Sequence, residues 1–201
     1  MRKLTEKRVL VATHNAGKLE EMRALFGAYG VEVVGAAEMS LPEPAETEDS
    51  FLGNARIKAR AAVEATGLPA LADDSGISVD ALGGAPGVYT ADWAETGDGR
   101  DFGMAMERTW RELEAIDAPS PRRAQFRCTL VMAWPDGHEE AFEGVLPGQV
   151  VWPPRGREGH GYDPIFQPDG HKETLGTMTP AQKNEISHRA MAFEKLRRIL
   201  A

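Results

Sequence analysis

The sequence predicts an α/β fold built on a mixed β-sheet flanked by helices, and three observations predict it. Near the N-terminus an apolar run, Arg8 to Thr13, passes through a short polar loop into an amphipathic segment, and a second apolar run follows at Val31 to Gly35. Strand, helix, strand in that order is the pattern of a parallel crossover. Later, the alternating segment Arg123 to Trp134 meets Pro135-Asp136-Gly137-His138 and returns through Glu139 to Leu146 as an antiparallel hairpin. No repeat or low-complexity linker interrupts the chain, so residues 1–201 are expected to form a single domain with a substantial core.

The elements follow in order. The first strand runs into His14-Asn15-Ala16-Gly17-Lys18 and a helix with apolar residues at Leu19, Met22, Leu25, Phe26 and Tyr29, capped at Gly30. A strand, a tight polar loop and a helix aim backbone N–H groups and a helix dipole at an anion. Lys18 adds a point charge, and Thr13 and Asn15 add neutral donors. The spacing is not that of a Walker loop, and a plain strand-to-helix turn has the same pattern. Residues 36–49 form a loop rich in proline and acid, with Glu43, Glu46, Glu48 and Asp49. Asp49 or Ser50 caps a helix to Thr66 that carries Arg56, Lys58 and Arg60 and ends at Gly67. Lys58 is placed to reach back toward acidic neighbours; a solvated basic face is the alternative.

The stretch Leu71-Ala72-Asp73-Asp74-Ser75-Gly76 brings two carboxylates, a hydroxyl and a glycine to one strand end. Successive strand residues face opposite ways, so Asp73 and Asp74 are expected on opposite sides. Adjacent acids suit a hard cation or an activated water, and an acidic turn has the same composition. Gly83 to Gly87 is an irregular loop, and Asp101 to Ile116 is a helix with Phe102, Met106, Trp110, Leu113 and Ile116 on its core side. Another irregular loop, Trp152 to Gly161, leads into His160-Gly161-Tyr162-Asp163, a combination suited either to a flat ligand or to a structural turn.

Thr179-Pro180-Ala181-Gln182 is a capping box with proline at the first helical position. Beyond it lie Lys183, His188 and Arg189. At ~100° per residue the latter two fall about 140° and 240° round the helix from Lys183. They converge only if the helix breaks near Ser187, which would then cap a second helix to Leu200; an unbroken solvated helix is the alternative.

The net charge of −8, from 23 basic and 31 acidic residues, argues against a nonspecific nucleic-acid or membrane-surface binder. An anionic ligand therefore needs a local basic site. Cys128 is the only cysteine and reads as a core thiol, so neither a disulfide nor a thiolate cluster is available. None of the five histidines has zinc-ligand spacing to another. The N-terminus lacks a signal-peptide core and no stretch approaches the ~18 apolar residues of a membrane span. A soluble, cytoplasmic protein is expected.

Together these segments resemble the inosine/xanthosine triphosphate pyrophosphatases, which hydrolyse noncanonical purine nucleoside triphosphates. The resemblance covers about Val9 to Leu196 through five motifs in the family's order: Thr13 to Lys18; Glu46 to Ala59 with Phe51, Asn54-Ala55 and Lys58-Ala59; Ala72 to Gly76 continuing through Gly83 to Tyr89; Gly161 to Pro164; and Ser187 to Arg189. It implies an elongated structure, two lobes around a central nucleotide-binding cleft, and a homodimer. It also implies an enzyme that releases pyrophosphate and a nucleoside monophosphate from inosine, deoxyinosine or xanthosine triphosphate, with no nucleic-acid or membrane partner.

On the matching positions the resemblance implies specific roles. Thr13, His14, Asn15, Ala16, Gly17 and Lys18 hold the triphosphate. Asp74 is the general base and a ligand of Mg²⁺, with Glu46 as the second acidic ligand; Lys58 neutralises charge on the phosphates and Ser75 touches the substrate. Asp73, on the other face, serves as support. His160, Gly161, Tyr162, Asp163 and Lys183 line the base. His188 and Arg189 donate to the six-position carbonyl of hypoxanthine or xanthine, where adenine presents an amino group; polar pairing of this kind can discriminate by ~10⁴ to 10⁵. Three positions depart from the family's pattern: His160 replaces a stacking Phe or Trp, Asp92 stands near a usually basic position, and Gly53 replaces a common Glu. A catalytically silent nucleotide-binding module and an enzyme for modified pyrimidine nucleotides are the competing readings.

Overall fold

Four residues, Arg8–Val11, form strand β1 and begin the sheet, with every side chain after Arg8 buried. The computed structural model describes residues 1–200. After β1 come α1 (Ala16–Gly27), β2 (Glu32–Gly35), α2 (Phe51–Thr66), β3 (Ala70–Val79), a small ribbon of β4 (Glu95–Thr96) and β5 (Gly99–Arg100), and α3 (Phe102–Ala115). The chain continues with β6 (Arg123–Ala133), β7 (Glu139–Val150), β8 (Phe166–Pro168), α4 (Pro180–Ile186) and α5 (His188–Leu200). Six strands make one sheet in the order β2-β1-β3-β6-β7-β8. β1 lies parallel to both β2 and β3, and β7 lies antiparallel to β8. β6 and β7 are neighbours joined only by residues 134–138, so they run antiparallel as well. The sheet is mixed, as the early crossovers and the late hairpin require.

The chain divides into two compact units, and β3, β6 and β7 each pass from one into the other. The first holds Met1–Asp74, Thr129–Glu143 and the C-terminal residues from Ala192. Where α2 meets the sheet its core is made mainly of small side chains: Ala55, Ala59 and Ala62 of α2 pack with Leu10, Ala70 and Ala72 of β1 and β3. Alanines let helix and sheet approach closely, which gives anything else on that helix face little water. The buried stripe of α2 is Phe51, Asn54, Ala55, Lys58, Ala59 and Ala62, so two polar residues lie on an otherwise apolar face. Ser50 caps this helix through the Gly53 amide, and Gly67 ends it at φ 68°.

The second unit holds Ser75–Cys128 and Gly144–Met191. Its core gathers Ile77 and Val79 of β3, Ala105, Met106 and Leu113 of α3, Phe126, and Tyr162, Ile165, Phe166 and Leu175. α3 shows the expected stripe, capped by Asp101.

Four sequence expectations change. The acidic pair is not at a strand end: β3 continues through Asp73, Asp74, Ser75 and Gly76 to Val79, because Ile77 and Val79 carry the buried alternation onward. Gly30 has φ 71°, but α1 ends at Gly27 with Ala28 as its C-cap, and Tyr29 is exposed beyond it. Ile116 is 54% exposed because α3 stops at Ala115. The returning hairpin strand extends past Leu146 to Val150, where residues 148–150 pair with β8.

Candidate active site

In the first unit the opposite-facing acids follow from topology. β1 to β2 steps one way across the sheet, while β2 to β3 steps back over β1. Two right-handed crossovers in opposite directions place α1 and α2 on opposite faces. Asp73 accordingly meets Lys18 of α1, Nζ to Oδ2 2.6 Å. Asp74 shares the face of Ala70 and Ala72 and looks to Lys58 of α2, with Nζ 4.0 Å from its Oδ1. Asp74 is 8% and Lys58 9% exposed.

Lys58 is the electrostatic centre of this half. It donates a hydrogen bond to Glu46, whose loop folds back over the helix, and it also faces Asp74. Burial alone pushes the Lys58 ammonium down, but Asp74, Glu46 and Asp73 together more than offset this and hold it above the ordinary lysine value. It is therefore a charged lysine in a low-water site. Glu46 and Asp74, the two acids expected to hold a cation, converge on one positive atom.

The loop after β1 is braced from within. Thr13 Oγ1 accepts from the Asn15 amide at 3.2 Å, and Asn15 Oδ1 accepts from the Lys18 amide at 3.0 Å as the N-cap of α1. The amides of Ala16 and Gly17 precede the first intrahelical bond and lie at the positive end of the helix dipole. His14 turns to the acidic loop: its Nε2 is 3.0 Å from the Leu41 carbonyl, and Nδ1 is 4.0 Å from Glu43. The remaining basic residues of α2, Arg56 and Arg60, both pair with Glu139.

In the second unit Asp163 is 2% exposed and organises the turn. It accepts from the His160 amide at 2.7 Å and from Lys183. The Tyr162 ring is 1% exposed, packs edge-on against Phe102, and its hydroxyl donates to the Thr90 carbonyl at 3.1 Å. Burial raises the pKa of its phenol. The tyrosine ring is thus committed to the core.

The helix break expected at Ser187 is present. α4 stops at Ile186, Ser187 is extended (φ −66°, ψ 150°), and its Oγ accepts from the Ala190 amide at the start of α5. The His188 ring stacks on Phe126, centroids 5.1 Å apart and planes 13° from parallel.

A sequence profile of the Ham1 family matches residues 9–199. The chain belongs to the Ham1 family. It is 69% identical to a dITP/XTP pyrophosphatase of Ruegeria pomeroyi, over 93% of this chain and 92% of that protein. A dITP/XTP pyrophosphatase of Rhizobium meliloti is 53% identical over 96% of both. Among solved structures, a HAM1 protein from Coxiella burnetii superposes with a TM-score of 0.91 at 37% identity, covering 97% of this chain and 98% of that one.

On this Ham1 fold the sequence-derived residues separate into two groups. Thr13 to Lys18, Glu46, Lys58 and Asp74 belong to the first unit; Ser75, His160 to Asp163, Lys183, His188 and Arg189 belong to the second. Two contributors went unrecognised in the sequence. Phe126, assigned only to a strand, is the surface on which His188 lies flat. Asn54, noted only as part of a motif, is 1% exposed and receives the Glu48 amide at 3.0 Å. A polar residue one turn before Lys58 on an apolar stripe was the available signal. Among the described residues no group of three or more His, Cys, Asp or Glu gathers as a metal cluster, and no helix is long and apolar enough to cross a membrane.

Proposed function

We propose that this chain hydrolyses noncanonical purine nucleoside triphosphates to the nucleoside monophosphate and pyrophosphate, as a house-cleaning nucleotide pyrophosphatase. Relatives named dITP/XTP pyrophosphatase align over nearly the whole chain. The observation that carries the chemistry is the charged, buried Lys58 among Asp74, Glu46 and Asp73, beside a braced helix N-terminus. A pure binding module has little need of carboxylates beside a polyphosphate.

Thr13, Asn15, Lys18 and the first amides of α1 bind the triphosphate, while Asp73 holds the Lys18 ammonium in reach of the loop. Asp74 takes the proton of a water that attacks the first phosphorus. The bond to the bridging oxygen breaks, and the electron pair leaves with pyrophosphate. Lys58 offsets the charge that develops on the phosphate oxygens. The residues fit Mg²⁺: Glu46 and Asp74 offer only oxygens, the ligands a hard divalent cation takes, and both already face a cation. When bound, Mg²⁺ supplies charge neutralisation across the phosphates. Residues 1–201 serve as one catalytic domain, in a cytoplasmic homodimer whose partner molecules are nucleotides rather than nucleic acid or membrane.

Base choice belongs to His160, the Gly161 turn, Lys183, His188 and Arg189. Asp163 fixes Lys183, and Phe126 fixes the plane of the imidazole. His188→Phe retains a flat ring on Phe126 and removes the donor. It is expected to lower the inosine-over-adenosine ratio of kcat/KM by about 10²-fold, a step below the ~10⁴ available to a fully polar pocket. An unchanged ratio would take His188 out of base recognition.

The reaction itself is tested with inosine, deoxyinosine and xanthosine triphosphates, ATP and modified pyrimidine triphosphates, each with Mg²⁺. Pyrophosphate release from the first three, with little from the others, is the expected result. Release of orthophosphate would place the cut elsewhere. Binding without turnover would leave the silent module, and turnover of pyrimidines alone would reassign the substrate.

A further inference from the structure

The buried stripe of α2 that presents Lys58 presents one other polar side chain, Asn54, and no step of the reaction uses it. Asn54 Oδ1 accepts the Glu48 amide at 3.0 Å. Only Thr47 separates that amide from Glu46, whose carboxylate meets Lys58. Asn54 and Lys58 are four residues apart, about 6 Å along the axis on one helix face. The loop backbone is therefore pinned over one helical turn while the Glu46 carboxylate is delivered over the next. Gly53 independently shows how closely the loop is seated. A Cβ there would lie 2.5 Å from Glu48 Cβ and 2.8 Å from its Cγ, so Glu48 rests on a face that only glycine leaves open. Upstream, the Leu41 carbonyl against His14 Nε2 holds the same loop at its other side.

We propose that Asn54 is a positioning residue for catalysis: by fixing the Glu48 backbone it sets the Glu46 carboxylate against Lys58 and Asp74. This rests on the reading in which Glu46 helps hold the divalent cation. Gly53 serves the same end by leaving room for Glu48. Supporting groups that orient a metal-binding carboxylate typically change metal affinity 10- to 100-fold when removed.

The test uses the full chain as Asn54→Ala, Asn54→Asp, Gly53→Ala and Glu46→Gln, with two readouts. One is the Mg²⁺ concentration for half-maximal turnover of inosine triphosphate; the other is amide hydrogen exchange across residues 42–49. Asn54→Ala is expected to raise the half-saturating Mg²⁺ about 10-fold, with kcat at saturating metal within a few-fold of the parent. Exchange of the 42–49 segment should quicken while α2 stays protected. Asn54→Asp keeps an acceptor oxygen on the same stem and should recover most of both. In a Glu46→Gln background Asn54→Ala should add almost nothing to the metal requirement, since both act through one carboxylate.

Half-saturation and exchange both unchanged in Asn54→Ala would overturn the assignment, as would a full additional shift in the Glu46→Gln background. Should Asn54→Ala not fold, Gly53→Ala carries the test, because alanine is the better helix former and its disturbance falls chiefly on Glu48, with the Ser50 hydroxyl at 3.0 Å the next neighbour. The same rise in half-saturating Mg²⁺ supports the proposal, and no rise overturns it. A Glu46→Gln chain with an unaltered metal requirement would instead remove the metal reading beneath the proposal, so the two failures are told apart.

Discussion

Asp74→Asn is expected to lower kcat for inosine triphosphate by about 10³- to 10⁴-fold, at the upper end of what a positioned general base contributes. The amide has nearly the shape of the carboxylate but cannot accept a water proton, and it is a weaker ligand for a hard cation. The side chain is 8% exposed and shares a face with Ala70 and Ala72, so an isosteric replacement disturbs packing little. Substrate affinity should therefore survive, measured as binding of inosine triphosphate to the variant. Asp73→Asn gives the contrast. It removes the partner of Lys18 from the opposite face, and the expected loss falls mainly on KM. If Asp74→Asn turned over at near-parental rate while Asp73→Asn did not, the roles of the two acids would be exchanged.

The opposite facing of the two acids was legible in the sequence because strand alternation is a strict rule: adjacent residues must face apart. The first crossover, a cap at Asp49 or Ser50, the cap at Thr179 and the hairpin were legible for the same reason, each depending on short-range geometry. The break at Ser187 was readable only as the condition for Lys183 and the pair His188-Arg189 to share a ligand, and Ser187 is indeed extended. Where β3 ends was not readable. Asp, Asp, Ser and Gly together favour a turn, and the local preference is overridden by Ile77 and Val79 buried in the second core. The C-cap of α1 failed similarly, since Gly30 has a positive φ yet lies beyond the helix end.

The candidate site could be named residue by residue, but the contacts that hold those residues could not. The lysine and acids were named through the family resemblance, since the local patterns left a solvated basic face and an acidic turn open. Which acid each lysine would meet depends on crossover handedness and the closeness of an alanine-lined interface, neither of which is a property of one segment. Phe126 and Asn54 were passed over because strand and helix patterns account for them fully. Their roles arise from residues 62 and 6 positions away in the chain, the His188 ring and the Glu48 amide.

Lys58→Gln is expected to lower both activity and stability, and the pairing of the two losses is what makes it informative. Loss of a preorganised charge facing the phosphates should reduce kcat about 10²- to 10³-fold at saturating substrate and metal. Stability should fall by about 3 kcal/mol, at the low end for removing one partner from a buried ion pair. Glu46 is exposed enough to be rehydrated, whereas Asp74 is not. The pH dependence follows from sign. Burial opposes the Lys58 charge, but Asp74, Glu46 and Asp73 raise its pKa above the ordinary 10.5. A lysine raised on folding contributes its stabilisation in full below the unfolded value and loses it as pH climbs through the folded one. The stability gap between parent and Lys58→Gln should stay constant from neutral pH to about 10 and close only above that. A lysine kept solely for structure would lose stability with kcat intact. One kept solely for substrate charge would lose kcat while the fold became no weaker, since a buried charge without net pairing is a burden. Lys58→Arg distinguishes further: it restores the charge but not a compact ammonium, so stability should return more completely than turnover. Parental kcat and parental unfolding free energy together in Lys58→Gln would remove Lys58 from the centre of the site.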